Sequence, residues 1–328
     1  MPIEIVKRTV FRTTMLVAAF LFLSPGTACT QGWPSQREQP TDDLRTSVRG
    51  PLQERLSEVY PDSFQRGIDI FWEPRDGWIS EEVFNWWFAI VPKEDRDAIN
   101  RENANRMFSH FPGQEGRVFS APGGRRLCAV VGPSRNLLGS GYGHLIDAHD
   151  VVIRINRAPT DDFEDDVGDK TTHHLMWPRN LERSQYNPRA FLLMTPIAFN
   201  TRGVFERITE LVSGFQWDPE RVRIIHPAFI KYIHYNWTEK RGVYPSTGFI
   251  ALMLALHVCD EVDVFGFGAD AAGRWDRYYE KDTVDASDFH PVEYEVQLRR
   301  EMESRGILKV YRGSRPELKE NTLSPRRE

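Results

Sequence analysis

The sequence predicts an α/β domain built on a mainly parallel sheet with helices on both faces. Two observations carry that prediction. From Arg126 onward, short apolar runs alternate with helix-length patterns, as strands do with crossover helices. Those runs are apolar throughout instead of alternating, as expected of strands buried on both faces. Composition agrees: 328 residues, 40% hydrophobic and 27% charged, suit one large globular domain or two small ones. A formal net charge of −5, with basic residues not gathered into a stripe, gives no electrostatic case for nucleic-acid binding.

The chain opens with Lys7, Arg8 and Arg12 ahead of an apolar run from Met15 to Leu23 and then Ser24-Pro25-Gly26. Residues 1–29 therefore read as a secretory entry signal, either a peptide cleaved near "GTA" or an uncleaved anchor with its basic side cytoplasmic. Residues 30–60, "TQGWPSQREQPTDDLRTSVRGP" onward, are polar, rich in Pro, Gly and Ser, and lack apolar periodicity. They read as a stem. Order is expected from "PDSFQRGIDIFWEP", so the globular domain is residues 61–328. "EEVFNWWFAIVP" follows as an aromatic helix of core or cleft wall. "RLCAVVG", "DVVIRIN", "HHLMW", "FLLMT", "RVRIIH", "VDVFGFG" and "ILKVYRG" read as buried strands. "TRGVFERITELVSG", "PAFIKYIHYNW" and "STGFIALMLALHVCD" read as helices. A last helix runs through "PVEYEVQLRREMESRG", with Pro291 at its first position and Gly306 closing it.

Ligands of such sheets sit beyond the strand C-termini. "CAVVGPSRNLLGSGYG" is a strand entering a glycine-rich loop, yet Gly139, Gly141 and Gly143 lack the G-x-G-x-x-G spacing of a dinucleotide site. In "YPSTGFIALMLALHVC", Ser246 and Thr247 are strong N-cap residues and Gly248 opens a long apolar helix. That mouth is either plain capping or an anion site made of backbone N–H groups and hydroxyls. In "GFGADAAGRWDRYYEKD", Arg277, Tyr278, Tyr279 and Glu280 could face a phosphate, or the segment is only a loop. His290, before Pro291 at a helix lip, is either a cap or a general base held neutral by the helix dipole. "PTDDFEDDVGD" reads as a solvated acidic loop in preference to a metal site. The histidines have no ligand spacing, since adjacent His173 and His174 point to opposite faces of a strand. Beyond the leader's Cys29, Cys128 and Cys259 form either one disulfide or two buried thiols. Asn236-Trp237-Thr238 is a glycosylation sequon, meaningful in the secretory lumen.

Together these segments resemble the eukaryotic sialyltransferase family (glycosyltransferase family 29), and within it the β-galactoside α-2,3-sialyltransferases. The family's large motif corresponds to Cys128–Pro178, "CAVVGPSRNLLGSGYGHLIDAHDVVIRINRAPTDDFEDDVGDKTTHHLMWP". Its small motif corresponds to the stretch from His226 to Asp270, its third to "RYYE", and its H-x4-E motif to His290 and Glu295. The resemblance runs from about Pro61 to Ser314. It implies a modified nucleotide-sugar transferase fold (GT-A-like, Rossmann-type) and a single-pass type II Golgi membrane protein with a lumenal catalytic domain. It further implies CMP-sialic acid as donor, a galactose-terminated glycan as acceptor, no metal or other cofactor, and inverting transfer. His290 matches the family's catalytic base, and Arg277 stands where it could stabilise the leaving phosphate. Ser134, Asn136, Asn156, Ser246, Thr247, Gly248 and Gly268 match donor-side positions, and Tyr244 a tyrosine facing donor and acceptor. Glu295, one turn on from His290, is expected to fix the helix mouth, not to react, and Cys128–Cys259 matches a family disulfide.

Three positions depart from the family pattern. "GPSRN" stands for "GNSGN", so Pro133 replaces an asparagine; Arg277 replaces a histidine; and Val91 or a neighbour in "WWFAIV" replaces an acceptor-side glutamine. The changes at Pro133 and Arg277 leave room for a related donor such as CMP-Kdo. A reading of another class is a catalytically inactive, glycan-binding descendant. Retention of His290 together with the Ser246-Thr247-Gly248 mouth argues against that reading.

Overall fold

Among the residues described, eight strands hydrogen-bond into one sheet. They are β1 (Phe71–Trp72), β2 (Leu127–Val131), β3 (Val151–Ile155), β4 (His173–Met176), β5 (Phe191–Met194), β6 (Val222–Ile225), β7 (Glu261–Phe265) and β8 (Lys309–Tyr311). The computed structural model describes residues 52–313 apart from 74–77, 92, 111–117, 120–124, 179–186, 188, 198–203, 215–216, 269–275 and 281–288. The leader and most of the stem lie outside the described residues. No described helix is long and apolar enough to cross a membrane.

The strands lie in the order β1-β6-β5-β4-β3-β2-β7-β8. All neighbours are parallel except β1, which adds an antiparallel edge to β6 that the sequence patterns do not announce. The chain lays down β2 to β6 in one direction, then returns to place β7 and β8 on the free side of β2. Connections leave β2 and β7 in opposite directions, so a crevice opens beyond their C-terminal ends. Two glycines let the strands leave so close together. A Cβ on Gly132 would stand 2.4 Å from the Gly266 carbonyl, and one on Gly266 would stand 2.4 Å from the Gly132 carbonyl. Gly266 also has φ of +67°, in the left-handed region.

Nine helices are described: α1 (Leu52–Val59), α2 (Glu81–Ile90), α3 (Arg101–His110), α4 (Gly143–Asp147), α5 (Glu164–Val167), α6 (Val204–Gly214), α7 (Pro227–Tyr232), α8 (Thr247–Val258) and α9 (Val292–Ser304). α8 is apolar all round, and every residue from Phe249 to Leu256 is buried. It packs on β2, β3, β4 and β7, against Cys128, Val130, Ile153 and Leu175. The opposite pleat points Ala129, Val131, Val152 and Phe265 into a second cluster with Leu137, Ile146 and Val167. At the far end of the sheet, Trp72, Trp87, Phe108 and Phe205 form an aromatic core between α2, α3 and α6.

Several expectations shift. The stretch read as stem contains α1, whose Leu52 and Leu56 are buried against α8 while Gln53 Nε2 donates to the Cys259 carbonyl at 2.7 Å. Two leucines one turn apart were too brief a pattern to stand out there. "PAFIKYIHYNW" is two pieces: α7, then a π-helical stretch from Ile233 to Trp237. Asn236 of the sequon is exposed on it, while Thr238 is fully buried. The acidic segment does more than face solvent. Asp166 accepts the Gly139 and Gly141 N–H groups at 2.7 and 2.9 Å and so holds the glycine-rich loop. Asp147, at the end of α4, accepts the N–H groups of Asp169 and Lys170 at 3.1 and 2.9 Å and holds the segment's end.

Cys128 on β2 and Cys259 at the end of α8 form a disulfide, both fully buried. It closes a sequence separation of 131 residues and fixes α8 to the strand whose end forms the crevice.

Candidate active site

A cavity of about 650 Å³ fills the crevice. Its floor is the set of residues just past the parallel strands: Pro133 and Ser134 after β2, Asn156 after β3, Trp177 after β4, Thr195 after β5, and Gly266 to Gly268 after β7. The mouth of α8 and the first turns of α9 make its wall. Ten of the predicted site residues therefore meet in one place: Ser134, Asn156, Tyr244, Ser246, Thr247, Gly248, Gly268, Arg277, His290 and Glu295.

His290 is the group most suited to proton transfer. Its Nδ1 lies 3.1 Å from the Tyr244 carbonyl, which can only accept. In the neutral ring Nδ1 must carry the proton, so Nε2 keeps its lone pair. The Tyr244 ring meets the imidazole edge-on, centroids 4.8 Å apart, and is itself buried. Burial lowers the His290 pKa below its usual 6.5, only partly opposed by the Tyr244 carbonyl. The sequence reading assigned that lowering to the helix dipole. In the structure burial supplies it, and Pro291 is the N-cap, with α9 beginning one residue later at Val292.

The α8 mouth supplies the complement. Ser246 is its N-cap, its Oγ accepting the Phe249 N–H at 3.1 Å. The Ile250 N–H is taken by the Ser246 carbonyl. That leaves the Thr247 and Gly248 N–H groups as the helix's unpaired donors at the cavity wall, where the dipole favours negative charge. Glu295, one turn into α9, holds this mouth in place. Its Oε1 accepts the Ser246 N–H at 2.7 Å and its Oε2 the Ser246 hydroxyl at 2.6 Å. Burial raises the Glu295 pKa to about 7 despite those two bonds.

Asn156 has φ of +53°, a conformation asparagine tolerates better than most residues. Its Oδ1 accepts the Trp177 N–H at 3.0 Å and its carbonyl accepts from His174 Nε2, so its side-chain NH2 is what remains for a ligand. Arg277 Nη1 donates to Glu280 at 2.8 Å, and Arg157 takes the other Glu280 oxygen at 2.7 Å. One carboxylate thus orients Arg277 at the cavity edge, leaving guanidinium N–H groups to spare.

Other predicted positions fall elsewhere. Asn136 does not line the cavity; its side chain points toward the Phe267 carbonyl, 3.5 Å away, behind the loop. Ser134 reaches the cavity, but its hydroxyl donates to the Gly268 carbonyl at 2.7 Å, stitching the β2 and β7 loops together. The Pro133 carbonyl accepts the Tyr278 N–H at 3.0 Å, holding the Arg277 segment in place. Tyr278 is buried away from the cavity, its hydroxyl donating to the Pro159 carbonyl at 2.6 Å, so Arg277 alone of "RYYE" lines the site. Val91 is buried in the aromatic core and does not reach the cavity. Ala269 to Arg274 lie outside the described residues. Among the described residues, no group of three or more His, Cys, Asp and Glu side chains is placed to hold a metal ion.

Of the polar-tipped lining residues, Trp177, Thr195, Asp276 and Arg299 were not among the predicted site residues. Trp177 and Thr195 follow "HHLM" and "FLLM", so the strand-end rule would have found them. Arg299, mid-helix in a charged stretch, carried no signal at all.

Parallel strands opening at a switch point onto a helix mouth, with a histidine whose Nε2 is free, form a site of the kind used by α/β group-transfer enzymes. A family model described as glycosyltransferase family 29 (sialyltransferase) matches residues 71–307, and the chain belongs to that family. A CMP-N-acetylneuraminate-beta-galactosamide-alpha-2,3-sialyltransferase 2 from Rattus norvegicus is 37% identical over 79% of this chain and 77% of its own length. A CMP-N-acetylneuraminate-beta-galactosamide-alpha-2,3-sialyltransferase 1 from Gallus gallus is 36% identical over 76% and 77%. The crystal structure of a mammalian sialyltransferase matches with a TM-score of 0.71 at 30% identity, covering 82% of this chain and 99% of that one.

Proposed function

We propose that this glycosyltransferase moves sialic acid from CMP-sialic acid to the 3-hydroxyl of a terminal galactose. The observation that carries the reading is His290, a half-buried imidazole with a lowered pKa whose free Nε2 shares a cavity with the unpaired N–H groups of α8. His290 Nε2 takes the proton of the galactose hydroxyl as that oxygen bonds to the anomeric carbon of the donor sugar. The bond from that carbon to the CMP phosphate oxygen breaks on the opposite face, so configuration inverts. Negative charge then gathers on the departing phosphate, where the Thr247 and Gly248 N–H groups and the Arg277 guanidinium stabilise it. CMP leaves, and His290 returns its proton to solvent. The family membership and the α-2,3 activity named for its relatives support this donor, acceptor and linkage.

The reading also includes a place for the domain. Residues 1–29 anchor it as a type II protein with its catalytic part in the Golgi lumen, where Asn236 is glycosylated. Alkaline extraction of membranes, and loss of glycosidase-sensitive mobility in Asn236→Gln, test both parts. For catalysis, the test is His290→Ala with CMP-sialic acid and a defined galactoside. Transfer is abolished while CMP still binds, and in the wild-type enzyme the acid limb of kcat/KM lies below pH 6.5, the ordinary histidine value. Transfer near the wild-type rate from the variant removes His290 from the base role. Running CMP-Kdo beside CMP-sialic acid identifies the donor, and release of CMP without product marks a binding protein.

A further inference from the structure

Arg299 is a buried arginine on the cavity wall, 9% exposed, that donates no hydrogen bond and makes no ion pair among the described residues. Glu295 sits one turn before it, at the i,i+4 spacing that pairs acid with base. The Glu295 oxygens are turned to Ser246, so the two groups form no ion pair and Arg299 acts on Glu295 only as a nearby charge. The guanidinium lies over the Phe267 ring, 5.5 Å from its centroid, and its Nη2 is 3.5 Å from where a Cβ on Gly268 would stand. No Arg299 nitrogen is among the buried, unpartnered side-chain atoms, so its N–H groups, bonded to nothing among the described residues, open onto the cavity and are placed to meet acceptors on whatever fills it.

Position along α9 says which part of the ligand that is. His290 precedes the helix, Glu295 secures the α8 mouth one turn in, and Arg299 stands seven residues beyond Val292, about 10 Å along the axis. On the proposed reaction, on which this inference rests, the bond that breaks lies beside His290. The donor's carboxylate and phosphate both flank that bond, so both belong to the His290 and α8 half. What reaches the Gly268 half is the nucleoside. Its paired ribose hydroxyl oxygens suit the parallel N–H groups of a guanidinium.

We propose that Arg299 is a donor-recognition residue whose guanidinium donates to the ribose hydroxyl oxygens of the CMP moiety, beside Gly268 and over Phe267. It reads ribose against deoxyribose and positions the donor without touching the reacting atoms.

The test compares CMP with 2′,3′-dideoxycytidine monophosphate by titration calorimetry on the wild-type protein, Arg299→Met and Arg299→Gln. Met keeps the packing over Phe267, and Gln serves if Met fails to fold. In the wild type CMP is preferred, and in either variant the preference narrows about tenfold, the scale of a lost hydrogen bond from a charged donor. A structural role, or a guanidinium met only by water, weakens both nucleotides equally and leaves the ratio unchanged, which overturns the inference while the sialyltransferase reading stands. A wild-type protein that does not discriminate overturns it as well. Failure of CMP to bind overturns both.

Discussion

Replacing Glu295 with glutamine isolates one buried ionisation whose size the structure sets. The Glu295 carboxylate is raised from 4.5 to about 7, first because it is buried, against the pull of the Ser246 N–H and hydroxyl and of the Arg299 charge. A group whose folded pKa lies above its unfolded value contributes stability that is complete below the unfolded pKa. That contribution is lost as pH rises through the folded one. The window here runs from 4.5 to about 7. At 1.36 kcal/mol per pH unit, the loss across it is about 3 kcal/mol. Glutamine keeps an acceptor for Ser246 but cannot ionise. Unfolding free energies from urea denaturation, measured for both proteins in steps across that window, should therefore converge. The wild-type advantage over Glu295→Gln shrinks by about 3 kcal/mol between pH 4.5 and the far side of pH 7. Parallel curves, or an advantage that grows with pH, refute the reasoning. The two Ser246 bonds would then outweigh burial, and the carboxylate would be ionised throughout.

Other consequences follow from the same geometry. Arg277→Ala should lower kcat on the order of 100-fold with smaller changes in KM, because its charge matters most as the phosphate departs; steady-state kinetics check this, and an unchanged kcat removes Arg277 from the reaction. Replacing Cys128 and Cys259 with alanine should cost about 4 kcal/mol of unfolding free energy, the scale for a cross-link closing a loop of more than a hundred residues. Denaturation with and without reductant should show the same loss in the wild type and none in the variant. His173 and His174 are both lowered to about 4 by burial, so the unfolded chain binds more protons than the folded one between pH 6.5 and 4. Stability falls as pH drops through that window, by about 3 kcal/mol for each ring. His173→Phe, which keeps the stacking on Phe119 and Phe191, should flatten the fall by one such share.

The architecture was largely legible in advance because its strands are buried on both faces. Burial of that kind forces continuous apolar runs, and each of the seven predicted strands became a strand of the parallel sheet. α8 was legible for the same reason, since a helix surrounded by protein is apolar on every side. Much of the site could also be read, because capping residues and the turn before Pro291 are local signals written in adjacent residues. Where local signal was weak the reading slipped. Two leucines did not reveal α1, and a run of acidic residues concealed that Asp166 accepts two backbone N–H groups of the glycine-rich loop.

Other properties exist only between segments distant in the chain. Cavity membership separates Ser134 from Asn136 two residues away, and Arg277 from Tyr278 beside it, because pleat and loop direction decide which side chain faces inward. The tautomer of His290 depends on the Tyr244 carbonyl, 46 residues earlier, and the Glu295 carboxylate is held by a serine 49 residues earlier. Arg299 in sequence is one charge in a polar helix. Sequence determined which residue types stood ready at strand ends and helix mouths, because propensity and capping act over a turn or two. Only the fold decided which of them are dry, which are paired and which are left with donors to spare, because desolvation and hydrogen bonding depend on neighbours brought together by the sheet.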